Sequence, residues 1–327
     1  MRPGLSRLVT LGALLGATSL NAQEEKDPEE GFGAPFLLIP VGAQATALGQ
    51  AAAAAGGTTE AAFWNPAGLA YLERGEVAVH FARTFVSDNT ALTAYFAAGK
   101  LGVLGAAAYL VDFGSQDVVS GPGVAVGRIS PKNIELLASY ATSVTRDLSV
   151  GLNYKLIQLR QDCSGQCTLF PDISGTTQAV DLGIQYAFGE TDALRLGIVI
   201  RHAGFPLQLE NQEQADPLPT RVQFGVIYRL LLPELRGSDE RFDARIYADI
   251  DDQWGQYDSP EIRLGLDVGL GELVRFRGGY AFLDSESRGP SVGVGLRVGR
   301  LRVDVARVFF VSSSFDEPFH VSVTAGL

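Results

Sequence analysis

The chain has little of what most catalysts and metalloproteins rely on: three histidines, two cysteines and one methionine in 327 residues. His80, His202 and His320 stand far apart, with no spacing that suggests a metal site or a catalytic triad. The glycine pair Gly293 and Gly295 precedes no helix and makes no phosphate loop. Asp249, Asp251, Asp252 and Asp258 match no calcium-loop spacing. We therefore expect no enzyme, no cofactor and no metal. Long apolar runs are absent too: after the N-terminal segment, no stretch reaches the roughly eighteen residues of a membrane-spanning helix. Bases are short, at 26 against 37 acids. Such a balance repels phosphate backbones and excludes nucleic acid as a partner. Charged residues of both signs make up only 19% of the chain, against 46% hydrophobic. That share is low for a water-soluble surface and ordinary for a surface that meets lipid.

What is present begins with Arg2 and Arg7, an apolar run over 8–20, and Asn21-Ala22-Gln23. This is the layout of a secretory signal peptide over residues 1–22, too short for a spanning helix. Its removal leaves 24 bases against 37 acids. Residues 23–35 open with QEEKDPEEG and read as a flexible periplasmic tail. Cys163 and Cys167 flank Ser-Gly-Gln in a polar stretch of an exported chain, and they predict a small disulfide that pins a loop.

Residues 36–75 differ from everything after them. They are rich in Gly and Ala, nearly uncharged, and contain Trp64, Asn65, Pro66, Gly68 and Leu69 in one run. Alanine loses no rotamer freedom on burial, so the run 51–55 can be fixed in a tight space at low entropic cost. Asn65 before Pro66 predicts a helix start: the asparagine caps free amides, and the proline needs no N–H there. A surface helix would leave the apolar run 36–39 and the pair Phe63-Trp64 without a home. The segment is therefore read as a plug inside a closed sheet.

From Glu76 onward the period is two. Phe242, Ala244, Ile246, Ala248 and Ile250 alternate with Asp243, Arg245, Tyr247, Asp249 and Asp251, and neighbouring segments repeat the scheme. A soluble sandwich would bury the apolar face, and a membrane barrel would turn it to lipid. Strands of about ten residues, short turns alternating with long loops, and aromatics near strand ends (Phe85, Phe188, Phe242, Tyr280, Phe282, Phe309) favour the barrel. The count is about fourteen strands over 76–327, with the long connections at 113–133, 160–177 and 203–219. The fold class is all-β, a transmembrane antiparallel barrel. Its enclosed face carries Arg195, Arg221, Asp243, Arg245, Asp249, Arg263, Asp267, Arg275, Arg277, Arg302 and Asp304 as ladders of lumen charge, in which Arg302 with Asp304 and Arg245 with Asp249 share a face.

Three blocks carry a family resemblance: Leu38-Ile39-Pro40-Val41-Gly42-Ala43, Ala45-Thr46-Ala47-Leu48-Gly49, and the run from Ala61 through Trp64-Asn65-Pro66 to Leu69. In this order, behind a signal peptide, they resemble the N-terminal signature of the PorV/PorQ family of outer-membrane barrels, which is similar to the FadL-type transporters. Gln50 and residues 51–57 depart from the more acidic stretch of that family. The resemblance implies a FadL-like barrel of fourteen strands in the outer membrane of a Gram-negative-type bacterium. It implies a role in type IX secretion or surface attachment, with outer-membrane lipid, secreted cargo and other secretion components as partners. The alternative it carries is a FadL-like transporter of a hydrophobic small molecule.

Overall fold

A computed structural model describes residues 32–120, 123–167, 172–189, 193–210, 214–230, 242–271, 273–283, 289–310 and 317–327. The signal peptide, residues 23–31 of the tail, and the connection 231–241 lie outside the described residues.

The alternating segments form β1 Glu76–Arg83, β2 Asp88–Ala97, β3 Val103–Asp112, β4 Gln116–Ser120, β5 Val124–Ser143, β6 Leu148–Gly165, β7 Ile173–Phe188, β8 Leu194–Gly204, β9 Leu207–Gln208, β10 Ala215–Asp216, β11 Arg221–Leu230, β12 Phe242–Gln253, β13 Gln256–Leu270, β14 Val274–Phe282, β15 Gly289–Val298, β16 Leu301–Val308 and β17 Phe319–Gly326. Fourteen of them close an antiparallel barrel. Neighbours in sequence pair in turn, β3 pairs with β5, β8 with β11, and β1 returns to β17 with Glu76 opposite Gly326. The strand β4 pairs with the outer part of β5, and β9 with β10 makes a short separate ribbon.

The two faces of each strand differ as the alternation predicts. On β15, Val292, Val294 and Leu296 point outward while Ser291, Gly293 and Gly295 point inward. The same outward apolar set recurs on β2, β6, β7, β12 and β13. A continuous apolar wall around a closed sheet is not found on water-soluble monomers, so it is the lipid-facing surface of a membrane barrel. Phe85, Phe188, Phe242 and Phe282 expose their rings near strand ends, while Tyr280 and Phe309 are half-buried.

Several strands are longer than the alternation alone marks. The strand β5 has 20 residues, about twice what a tilted span needs. The expected long loop at 113–133 is thus largely a hairpin, β4 with the start of β5, that stands above the membrane-sized part of the barrel. The disulfide Cys163–Cys167 lies at the top of β6 beside it. The acidic stretch at 249–258 is likewise no loop. Strand β12 runs to Gln253, and Trp254-Gly255 turns straight into β13.

Residues 32–72 fill the lumen. They form two 3-10 turns, Pro35–Leu38 and Pro66–Tyr71, and two short helices, α1 Ala43–Ala47 and α2 Ala61–Trp64. Residues 32–35, expected in the polar tail, belong instead to this plug. The Gly33 N–H donates to the Pro217 carbonyl at 3.0 Å, and Ala34 is fully buried. Pro217 follows β10, in the long connection between β8 and β11. The chain therefore starts its descent at the long-loop end of the barrel and leaves for β1 at the short-turn end.

Candidate functional site: a plugged lumen with two cavities

The plug is held by side chains that reach inward from the strands to its backbone. A five-residue helix leaves all its early N–H groups without intrahelical partners, and α1 meets this need with distant residues. Ala43 N–H donates to Ser322 Oγ at 2.9 Å, and Ala45 N–H donates to a Glu60 carboxylate oxygen at 3.1 Å. Ser322 Oγ in turn donates to Glu60 at 3.1 Å and lies 2.8 Å from His80 Nδ1. Burial first, and the nearby Asp304 charge second, push the Glu60 carboxyl up to about 7. Further along, Asp249 accepts from Ala53 N–H at 2.8 Å, Gln185 donates to Ala55 O at 2.8 Å, and Asn153 donates to Ala62 O at 2.7 Å.

Asn65 is the cap that its place before Pro66 predicts. Its Oδ1 accepts from Ala67 N–H at 3.0 Å, and its backbone is extended. The element it opens is a 3-10 turn rather than an α-helix. Its Nδ2 also donates to Ala53 O at 2.6 Å, so the one side chain ties two plug segments together. The wall against which it sits is glycine. Gly151 and Gly183 are directly paired on β6 and β7. A Cβ at Gly183 would collide with Oδ1 of Asn65, and one at Gly151 would collide with the Pro66–Ala67 peptide. The inward glycines of these strands thus have a steric role, because they let plug backbone lie against strand backbone.

The plug divides the lumen into two cavities. The one at the long-loop end is about 430 Å³. One wall is apolar, from Leu37, Ile39, Phe63, Trp64, Phe85 and Val86. The opposite wall is a buried charge network. Lys155 Nζ lies 2.9 Å from Glu135, 2.9 Å from Asp181 and 3.1 Å from His202 Nδ1. Arg263 and Arg201 meet Asp251 at 2.8 and 3.3 Å. A bulge between β7 and β8 turns the consecutive Arg201 and His202 both inward, with His202 at φ +58°. The cavity at the short-turn end is about 840 Å³, with arginines and aspartates on its wall. Among the described residues, Trp64 alone lines both. Its indole N–H donates to Val41 O at 2.9 Å, and the Arg201 guanidinium stands 5.2 Å from its ring centre.

All eleven charged residues predicted for the lumen point into it, but they do not act as one ladder. Arg221 and Arg263 line the long-loop cavity, and Asp249 binds the plug. The other eight line the short-turn cavity. Arg302 pairs with Asp304 at 3.3 Å, whereas Arg245 pairs with Asp243 at 2.9 Å and not with Asp249. Sequence reasoning missed Glu60, Glu135, Lys155, Asp181, Arg201 and Asp251. An inward position in the period-two pattern is the signal that marks all of these but Glu60. Among the described residues, no three metal-ligating side chains converge.

No protein-family model and no curated protein matches the chain. Solved structures do. The toluene transporter TbuX of Ralstonia pickettii superposes with a TM-score of 0.60 at 15% identity, over 88% of this chain and 98% of that one. The toluene transporter TodX of P. putida gives 0.58 at 11% identity, over 88% and 98%. A FadL homologue of Pseudomonas aeruginosa gives 0.50 at 11% identity, over 88% and 99%. At these identities the likeness is one of fold: a plugged, fourteen-strand barrel like those of the FadL-family outer-membrane proteins.

Proposed function

We propose that the chain is an outer-membrane channel for small hydrophobic compounds. The observation that carries this reading is the long-loop cavity. About 430 Å³ with one apolar wall falls within the size range of sites that enclose small organic ligands. A compound entering from the long-loop end packs against Phe63, Trp64 and Ile39, with the buried charge network opposite. Passage onward requires Trp64 to turn aside, since its ring stands between the two cavities. The toluene transporters that share the fold support a hydrocarbon as cargo, and the cavity's size supports a molecule of one or two rings.

The test is uptake of labelled toluene into proteoliposomes, comparing the wild-type chain with Trp64→Ala. We expect saturable uptake by the wild type. In the variant, rates should rise and saturation weaken, because the partition is removed. Uptake no faster than in empty liposomes, for both proteins, would overturn the reading. The plug blocks that resemble PorV/PorQ proteins favour a second reading, a part in type IX secretion. Crosslinking in intact cells separates the two, since recovery of a large surface-protein precursor supports secretion. The toluene transporters and the FadL homologue lend support to transport and none to secretion, so transport is the preferred reading.

A further inference from the structure

The short-turn cavity has a charge that its own carboxylates do not balance. Seven arginines line it against four carboxylates, Glu60 among them, and a fifth acid, Glu76, stands 3.5 Å from Arg302. This excess of two positive charges belongs to a chain whose formal net charge is −11. The imbalance is built into the strand register. Arg229 lies directly opposite Arg245 on β11 and β12, and Arg297 directly opposite Arg302 on β15 and β16. Like charges placed opposite one another destabilise a sheet, and here two such pairs stand at one cavity, with Arg229 and Arg297 exposed at its rim. Asp243 alone serves three guanidinium groups, Arg229 at 2.8 Å, Arg245 at 2.9 Å and Arg275 at 3.2 Å. Arg195 has no carboxylate partner among the described residues. Its guanidinium carbon lies over the Tyr71 ring, 3.9 Å from the centre, and its buried Nε has no hydrogen-bond partner among the described residues. Arg297 also makes no ion pair among the described residues.

An ordinary structural network would be neutral, with every guanidinium matched to an acid. This one is short of anions, and its low-dielectric walls focus the remaining field on the cavity. Guanidinium groups present forked N–H donors that suit the paired oxygens of phosphate and carboxylate. We propose that the short-turn cavity is a binding site for a multivalent oxyanion, a phosphate or polycarboxylate group, with Arg195, Arg245, Arg297 and Arg302 as its donors. In an outer-membrane barrel the short turns face the periplasm, so the anion is drawn from that side. The site is independent of hydrophobic transport through the long-loop cavity.

Calorimetric titration of the full chain in a non-ionic detergent tests this, with inorganic phosphate, citrate and a short oligoglutamate peptide as separate probes at matched ionic strength. We expect phosphate or citrate to bind with one-to-one stoichiometry. The double variant Arg195→Gln with Arg297→Gln should weaken binding by about tenfold or more, as loss of charged hydrogen bonds implies. Arg83→Gln, on the exposed long-loop rim, should leave it unchanged. Binding of the peptide alone would overturn the small-anion assignment. So would chloride competing as well as phosphate, or equal weakening by the rim variant. A second measurement needs no variant: phosphate should protect Arg195 and Arg297 of the wild type from phenylglyoxal, read by mass spectrometry. Equal labelling with and without phosphate would also overturn the proposal.

Discussion

At the scale of single residues, Glu60 and Asn65 are two of the points that hold the plug. Glu60 is buried against the free amides of α1, and its carboxyl is pushed up to about 7 from a model-peptide value of 4.5. Docking therefore favours the protonated form. A carboxyl raised on docking contributes stability that is fully present below 4.5 and is lost as pH rises through about 7. We expect the Gln44 and Ala45 amides, corrected for intrinsic exchange, to lose hydrogen-exchange protection across that window. In Glu60→Gln the protection should be independent of pH, and a pH-independent wild type would sink the argument. Asn65→Ala removes a cap and one bond to Ala53 O, and leaves the Ala67 N–H without its partner, while Gln185 still donates to Ala53 O. A cost of about 1–2 kcal/mol follows for the cap alone. Denaturant titration in micelles should locate that loss in the plug and leave barrel unfolding unchanged.

At the scale of elements, the plug and the strands fit through absent side chains. The pair Gly151 and Gly183 gives the turn Pro66–Tyr71 its seat. Added methyl groups in a tight contact cost more than the apolar area they bury. Gly183→Ala should therefore displace the plug without breaking the strands, whose backbone hydrogen bonds need no glycine there. In planar bilayers the variant should show frequent open events where the wild type is closed, while still migrating as a folded barrel on unheated gels. Conductance equal to wild type would show that the seat yields at no cost. The alternating glycines are visible in the sequence. Their purpose is not, because alternation says which face a residue takes and nothing of what stands opposite.

At the scale of the whole molecule, the closed sheet supplies the wall and residues 36–72 the stopper. A deletion of 36–72 should leave a barrel that inserts, since the pairings that close the sheet, from β1 round to β17, are made between strands alone. It should leak small ions and solutes, because the two cavities would join into one open path. Unchanged conductance in planar bilayers would count against the plug. The arginine excess at the short-turn end makes a further demand on that deletion: the opened pore should prefer anions, which a reversal potential in a potassium chloride gradient measures.

The sequence by itself determined the barrel, the lipid-facing side of its strands, the plug and the asparagine cap. Each depends on a local signal: a period of two, a run of small residues, or an Asn-Pro step. What it did not carry is which charges meet. Glu60 reaches Ser322 across 262 positions, and Lys155 gathers Glu135, Asp181 and His202 from three other strands. Those meetings follow from closure and register, which are set by the sum of many strand pairings rather than by any one segment. The division of the lumen at Trp64, the inward bulge at Arg201 and His202, and the unbalanced arginines of the short-turn cavity were decided there. Only the tertiary structure brings the walls of a cavity together from distant strands.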